Sequence, residues 1–264
     1  MSNTPNTGKP VVLAVAGFDP SCGAGTAADL KTISACGGYG VAVLTALTIQ
    51  NSVHVQRVVC VEPIVLRQQL ECLLADVMPR AVKIGMLASR ENVDVLADVL
   101  GSKQLPNVVL DPVLFSSSGH SLLTTEALET FKSRMLPLAG CVTPNIDEAE
   151  WLTGFQSRNV EGMKEAAVRL VQMGCKAAVI TGGHLPEPID VLFDGQTWEV
   201  FSGTHIDSNN THGTGCTFSS AIATYLALEF SLRDAIARAK QFVSQALLRS
   251  FPVGRGHGPL NHFF

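Results

Sequence analysis

Near the carboxyl end the chain reads Thr211-His212-Gly213-Thr214-Gly215-Cys216-Thr217-Phe218, and the apolar run Ala221 to Leu228 follows. Two glycines permit a sharp turn, and a helix starting there aims its unpaired N–H groups and positive dipole end back into that turn. Such a turn holds anions, and phosphate chemistry is the first expectation. Cys216 falls on the first turn of that helix, where the dipole is expected to lower its pKa and make it a usable base or nucleophile. A short glycine motif also serves merely to lead a loop into a helix, so the rest of the chain has to decide.

Valine-rich apolar runs recur at 11–16, 41–47, 81–84, 108–110, 140–143 and 177–181, with helical patterns between them at 26–35, 63–75, 90–100, 126–136, 160–173 and 232–249. Strands alternating with helices predict a mainly parallel sheet covered on both faces, a three-layer αβα sandwich. The runs 190–193 and 198–201, joined through Asp194-Gly195, predict a hairpin added antiparallel to it. Ligands of an open α/β sheet bind beyond the carboxyl ends of its strands. Asp19, Gln50-Asn51, Gly85-Met86, Asp111-Pro112, Pro144-Asn145 and Gly182-Gly183 all follow apolar runs and are expected around one crevice.

Two phosphate motifs are excluded. No G-x-x-x-x-G-K-[ST] occurs, and although Gly23-Ala24-Gly25-Thr26-Ala27-Ala28 fits a loose dinucleotide fingerprint, residues 30–61 hold no carboxylate for a ribose. An NAD-binding oxidoreductase is therefore disfavoured. Asp29, one turn into the first helix, is read either as a group reaching into the crevice to accept a substrate hydroxyl or amine, or as a surface residue satisfying the helix dipole. Asn145 followed by Glu148 fits a helix-capping pattern.

The 264 residues lie near the upper end of what one core supports, and one domain at 11–264 behind a tail at 1–10 is expected. With 46% hydrophobic and 16% charged residues and a mean hydropathy of +0.25, the chain suits a sheet buried on both faces. A net charge of -4 and a pI near 6.0 leave no basic stripe for nucleic acid. Seven cysteines without a C-x-x-C pair read as free thiols of a reducing compartment. The polar start and the lack of any run near the roughly 18 apolar residues of a membrane span point to a cytoplasmic protein with no membrane contact.

Taken together, the segments 16–32, 46–51, 83–87, 110–113, 143–150, 182–185 and 211–217, with the tail 254–260, resemble the hydroxymethylpyrimidine/phosphomethylpyrimidine kinase family of thiamin biosynthesis, within the ribokinase-like superfamily. The resemblance runs in the family's order over essentially the whole chain. It implies phosphorylation of 4-amino-5-hydroxymethyl-2-methylpyrimidine by ATP with Mg²⁺, then of the monophosphate to the diphosphate. Cys216 is then the base, with the N–H groups of Gly213, Thr214, Gly215 and Cys216 holding the transferring phosphoryl group. Asn145 and Glu148 match the superfamily's N-x-x-E motif for Mg²⁺ and phosphates, with Asp111 on the same metal and Thr181 and Gly183 on the nucleotide side.

Gln50 decides the acceptor. Its amide offers one acceptor and two donors in a plane, complementary to an aminopyrimidine edge, and distinguishes the family from the similar pyridoxal/pyridoxine kinases. Asp29, Gly17, Ala24 and Met86 complete the substrate pocket by resemblance, and members are often homodimers. The chain departs from the family at Cys22, usually glycine; at Ala27, often Gln; and at Thr181, often Lys, which removes a phosphate-facing charge. Loss of turnover through these departures would leave a metabolite-binding protein on the same fold. His120, in the polar stretch 116–121, is read as part of a loop covering the site.

Overall fold

A computed structural model describes residues 8–115, 125–183, 185 and 187–264. The expected loop around His120 lies outside these residues, as do residues 1–7 of the expected tail. Pro10, just before the first strand, accepts the Tyr39 N–H with its carbonyl at 2.9 Å.

Among the described residues, nine strands form one sheet: β1 (Val11–Phe18), β2 (Tyr39–Gln50), β3 (Val55–Cys60), β4 (Ala81–Ile84), β5 (Val108–Leu110), β6 (Cys141–Val142), β7 (Ala178–Gly182), β8 (Ile189–Phe193) and β9 (Trp198–Ser202). Their spatial order is β3-β2-β1-β4-β5-β6-β7-β8-β9. The stretch from β2 to β7 is parallel, while β3 at one end and β8 and β9 at the other run antiparallel. The helices are α1 (Gly25–Ala35), α2 (Pro63–Leu74), α3 (Arg90–Lys103), α4 (Thr125–Arg134), α5 (Ile146–Thr153), α6 (Val160–Gln172), α7 (Thr214–Ala227) and α8 (Leu232–Leu248).

The period-two alternation of β1 sorts its side chains into two cores. Leu13 and Val15 join the larger core, built with residues of α2 to α6, and Val12 and Ala14 face a second core built with α7 and α8. The second core is rich in small residues, among them Ala221, Ala223, Ala227, Ala235 and Ala239, which lets α7 lie close to the sheet. Three layers result, as the alternation of strands and helices predicts.

The chain leaves β1 toward β2 on one side and returns to β4 on the other. The carboxyl ends of β1 and β4 therefore flank the point where strand order reverses, the usual place for a crevice. Strand β3 has no counterpart among the expected elements: Val55-Gln56-Arg57-Val58-Val59-Cys60 is an edge strand with mostly exposed residues, so no apolar run marks it. Helix α5 was foreseen only as a capping pattern. The hairpin forms as expected, each strand one residue longer, and Asp194 closes the connection by accepting the N–H groups of Gln196 and Thr197 at 2.9 and 2.7 Å.

Candidate active site

A cleft of about 1400 Å³ opens over the strand ends. Gly17, Ala24, Gln50, Met86, Asp111, Asn145, Glu148, Thr181, Gly183, Gly213, Thr214, Gly215 and Cys216 all line it. Asp29 does not.

Helix α7 starts at Thr214 behind Gly213, whose φ of 85° is left-handed. A β-carbon at Gly213 would lie 1.8 Å from the Gly23 carbonyl oxygen, so the turn before α7 and the loop before α1 can approach this closely only through glycine. The first N–H groups of α7 have no partner within the helix, Thr214 N–H bonding back to the Thr211 carbonyl at 3.3 Å, and the positive end of the helix dipole opens on the cleft, an arrangement suited to an anion.

Beneath this turn lies a buried polar cluster. Lys83, a charged residue in the otherwise apolar strand β4, is fully buried, its Nζ 2.8 Å from Asp29 Oδ1 and 3.8 Å from Asp111 Oδ2. Ser220 donates to Asp29 Oδ1 at 2.8 Å and Ser219 to Asp111 Oδ2 at 3.0 Å, both from α7. Burial pushes both carboxyls above their ordinary range against the pull of Lys83. Burial also works against the charge on Lys83, but Asp29, Cys216 and Asp111 outweigh it and raise its pKa.

Two expectations are corrected here. Asp29 does not reach into the crevice: Thr26, Asp29 and Ile33 share the buried stripe of α1, and that spacing turns the carboxylate inward onto Lys83. Nor is the Cys216 thiol lowered. The residue is half-buried at the cleft, but its thiol sits among buried groups, and burial pushes it up to about 12, with Lys83 opposing and Asp29 and Asp111 reinforcing. A further pull downward comes from the Gly25 N–H, and the neighbouring thiol in turn favours the ionised form of Asp111.

On the β1–β2 side, Asp19 accepts the Ser21 N–H at 2.8 Å and the Ala24 N–H at 3.0 Å, and its Oδ2 lies 2.8 Å from His212 Nε2. Burial opposes ionisation, but hydrogen bonds from His212, Gln50 and Ser21 hold Asp19 well below the usual carboxylate range. Met86 packs over Gly17, where a β-carbon would meet its methyl at 2.2 Å.

On the opposite side, Asn145 and Glu148 form a reciprocal capping box on α5: Asn145 Oδ1 accepts the Glu148 N–H and Glu148 Oε2 accepts the Asn145 N–H, each at 2.9 Å. Capping and cleft lining coexist in the same two residues. Burial, and then the charge of Asp111, push Glu148 up to about 8. Thr143 Oγ1, at the end of β6 in the same cleft, is buried without a hydrogen-bond partner.

The sequence profile described as "Phosphomethylpyrimidine kinase" matches residues 19–261. This chain belongs to that family. It is 40% identical over 249 residues to the hydroxymethylpyrimidine/phosphomethylpyrimidine kinase of Aquifex aeolicus (strain VF5), covering 94% of this chain and 98% of the relative. Identity reaches 47% over 253 residues with a thiamine biosynthesis bifunctional protein of Geobacter sulfurreducens, of which the chain spans about half, 52%, while 95% of this chain is covered. An ADP complex of Bacillus subtilis pyridoxal kinase superposes with a TM-score of 0.88 at 36% identity, over 96% of this chain and 97% of that one. The protein is a phosphotransferase with the ribokinase-like fold.

Within the phosphomethylpyrimidine kinase family, two departures acquire a structural setting. Cys22 holds a φ of 57°, the left-handed region in which glycine carries no steric cost. Thr181 pairs across the β7–β8 ladder with Asp190, which binds Lys240 Nζ at 2.7 Å, so an ammonium on α8 lines the cleft beside the position that lacks one. Sequence reasoning gave no role to Lys240, Lys83 or His212. Lys83 alone carried a signal, a charge inside an apolar strand, which burial obliges to find a partner.

Proposed function

We propose that the protein uses ATP to phosphorylate the hydroxymethyl group of 4-amino-5-hydroxymethyl-2-methylpyrimidine and then the resulting monophosphate, with residues 11–264 acting as one catalytic domain. The observation that carries this reading is that the α7 anion turn, Cys216 and Gln50 face one cleft. Gln50 meets the pyrimidine edge, with Gly17, Ala24 and Met86 shaping the pocket, and the acceptor hydroxyl lies at Cys216. The N–H groups of Gly213, Thr214, Gly215 and Cys216 stabilise charge on the phosphoryl group as it passes from ATP to that hydroxyl, and ADP leaves.

A thiol raised to about 12 holds its proton near neutrality, so Cys216 acts as a relay. The substrate hydroxyl gives its proton to Sγ while the thiol passes its own to the neighbouring Asp111, whose burial favours protonation. No free thiolate is needed. Lys83 holds the charge of the cluster throughout.

Asn145, Thr181 and Gly183 line the nucleotide side. Glu148, ionised when the metal binds, and the orphaned Thr143 Oγ1 are hard oxygens that would suit Mg²⁺, which would keep most of its waters and neutralise phosphate charge; Asp111, which takes the relayed proton, faces the same metal region without ligating it. Among the described residues no helix is long and apolar enough to cross a membrane, and the seven free cysteines support a cytoplasmic setting. Leu47, Ile49 and Val59, 45%, 43% and 40% exposed, share one face of the β2–β3 ribbon and support a homodimer through it.

Phosphorus NMR of the pyrimidine alcohol incubated with ATP, Mg²⁺ and the protein tests the reaction. The expected record is a monophosphate followed by a diphosphate; ATP hydrolysed with no pyrimidine ester formed contradicts it.

A further inference from the structure

Asp19 lies one residue past the end of β1, and the loop that it opens wraps around its carboxylate. Oδ1 accepts the Ser21 N–H at 2.8 Å and Oδ2 the Ala24 N–H at 3.0 Å, while Ser21 Oγ lies 2.8 and 2.9 Å from the two oxygens. A further partner arrives from 193 positions along the chain: His212 Nε2 is 2.8 Å from Oδ2. The imidazole lies against Gly23, where a β-carbon would come within 2.3 Å of its Cδ2. The carboxyl-terminal tail holds the His212 backbone, whose N–H donates to the Gly258 carbonyl at 3.1 Å beside a parallel bridge to Pro259. The next residue is Gly213, the left-handed cap of α7.

A carboxylate so supplied with N–H donors is ionised and can only accept. Nε2 therefore carries a proton and donates it, which fixes the imidazole at that nitrogen. The need for such a bond lies in the crossing of Gly213 over Gly23: two glycines allow the close approach but bring no side chains to interlock, so the turn is left free to swing. Phosphoryl transfer depends almost entirely on donors held in place, and a displacement of about 1 Å is enough to forfeit much of their effect.

We propose that His212 is a positioning residue: its bond to Asp19 locks the turn before α7 against the β1–α1 loop, and the N–H groups of that turn meet the phosphoryl group in transfer geometry only while the bond is made. This rests on the reading that those N–H groups hold the transferring group. His212 carries no proton to or from the substrate; it acts through the turn that it anchors.

The test is steady-state kinetics with the pyrimidine alcohol and ATP, well below the unfolding temperature of each variant. His212→Leu is expected to lower kcat roughly ten- to a hundredfold, the worth of a hydrogen bond to a charged group, with KM for both substrates within about threefold of the unaltered protein. His212→Gln, whose amide nitrogen reaches the place of Nε2 but does not titrate, is expected to recover most of that loss, and the shorter His212→Asn to recover little. Normal kcat in folded His212→Leu overturns the proposal, because the bond then serves stability alone. So does a His212→Gln as impaired as His212→Leu, which would make the imidazole a proton carrier, or equal recovery by Gln and Asn, which would show that reach to Asp19 does not matter.

The unaltered protein supplies an independent measurement. The ¹⁵N resonance of His212 Nε2, assigned by its loss in His212→Gln, is expected to be that of a protonated ring nitrogen on both sides of neutral pH. An unprotonated Nε2 contradicts the proposal even if His212→Leu does not fold. Failure of the unaltered protein to transfer a phosphoryl group from ATP to the pyrimidine alcohol would instead remove the functional reading beneath it.

Discussion

The proposed role of Cys216 rests on its surroundings rather than on an activated thiol. If it relays the substrate proton toward Asp111, Cys216→Ala lowers kcat by a hundredfold or more while leaving ATP affinity, measured by calorimetry, within about twofold. Near-normal kcat would remove the relay. Lys83 is held to a structural standard: one ammonium sealed against two carboxyls. Lys83→Met strands Asp29 in the core and is expected to cost about 3–5 kcal/mol in denaturant unfolding, whereas Lys83→Met with Asp29→Leu, which removes both charges, recovers most of that. Equal losses in the two variants would show that the pair is not what Lys83 contributes. At this scale residue types were legible but their directions were not. Cys216, Gln50 and Glu148 could be placed on the cleft because they follow strand ends or open helices. Asp29 could not, because an acidic residue on α1 looks the same whether it faces solvent or a lysine 54 positions away in sequence.

Helix α7 and the loop before α1 form one device, joined where Gly213 passes Gly23. Gly213→Ala forces a β-carbon into the Gly23 carbonyl at a left-handed φ, and the expected outcome is a loss of at least 1–2 kcal/mol with kcat falling together with it. Unchanged kcat in the folded variant would mean that the turn does not hold the phosphoryl group. The elements that make this device were readable, since β1 is a continuous apolar run and α1 and α7 each follow glycine punctuation. Strand β3 was not, because an edge strand exposes both faces and leaves no pattern of burial in its sequence. The short α5 was visible only as its cap, for eight residues are too few to display a helical period.

At the scale of the whole molecule, the carboxyl-terminal tail closes over α7 and makes stability depend on pH. His262, buried against Thr217 Oγ1 at 3.0 Å, is pushed down to about 4 by burial and then by Lys31. The folded chain keeps it neutral while the unfolded chain protonates it near 6.5, so the unfolded state binds more protons and stability falls as pH drops from about 6.5 to about 4. His262→Gln removes that slope, on the order of 3 kcal/mol across the window. The same slope in the variant would place its origin elsewhere. Sedimentation is expected to find a dimer that Leu47→Glu converts to monomer, through the exposed apolar face of the β2–β3 ribbon; a monomer in the unaltered protein would contradict it. The layered architecture and the position of the cleft follow from the alternation of strands and helices, whereas the pairing of distant charges and the tail's closure arise only from the packed whole. The acceptor itself is tested most directly by ATP turnover measured in parallel with the aminopyrimidine alcohol, its monophosphate and pyridoxal. Both pyrimidines are predicted to drive ADP formation with kcat/KM well above that for pyridoxal; turnover with pyridoxal alone, or with none of the three, would contradict the account.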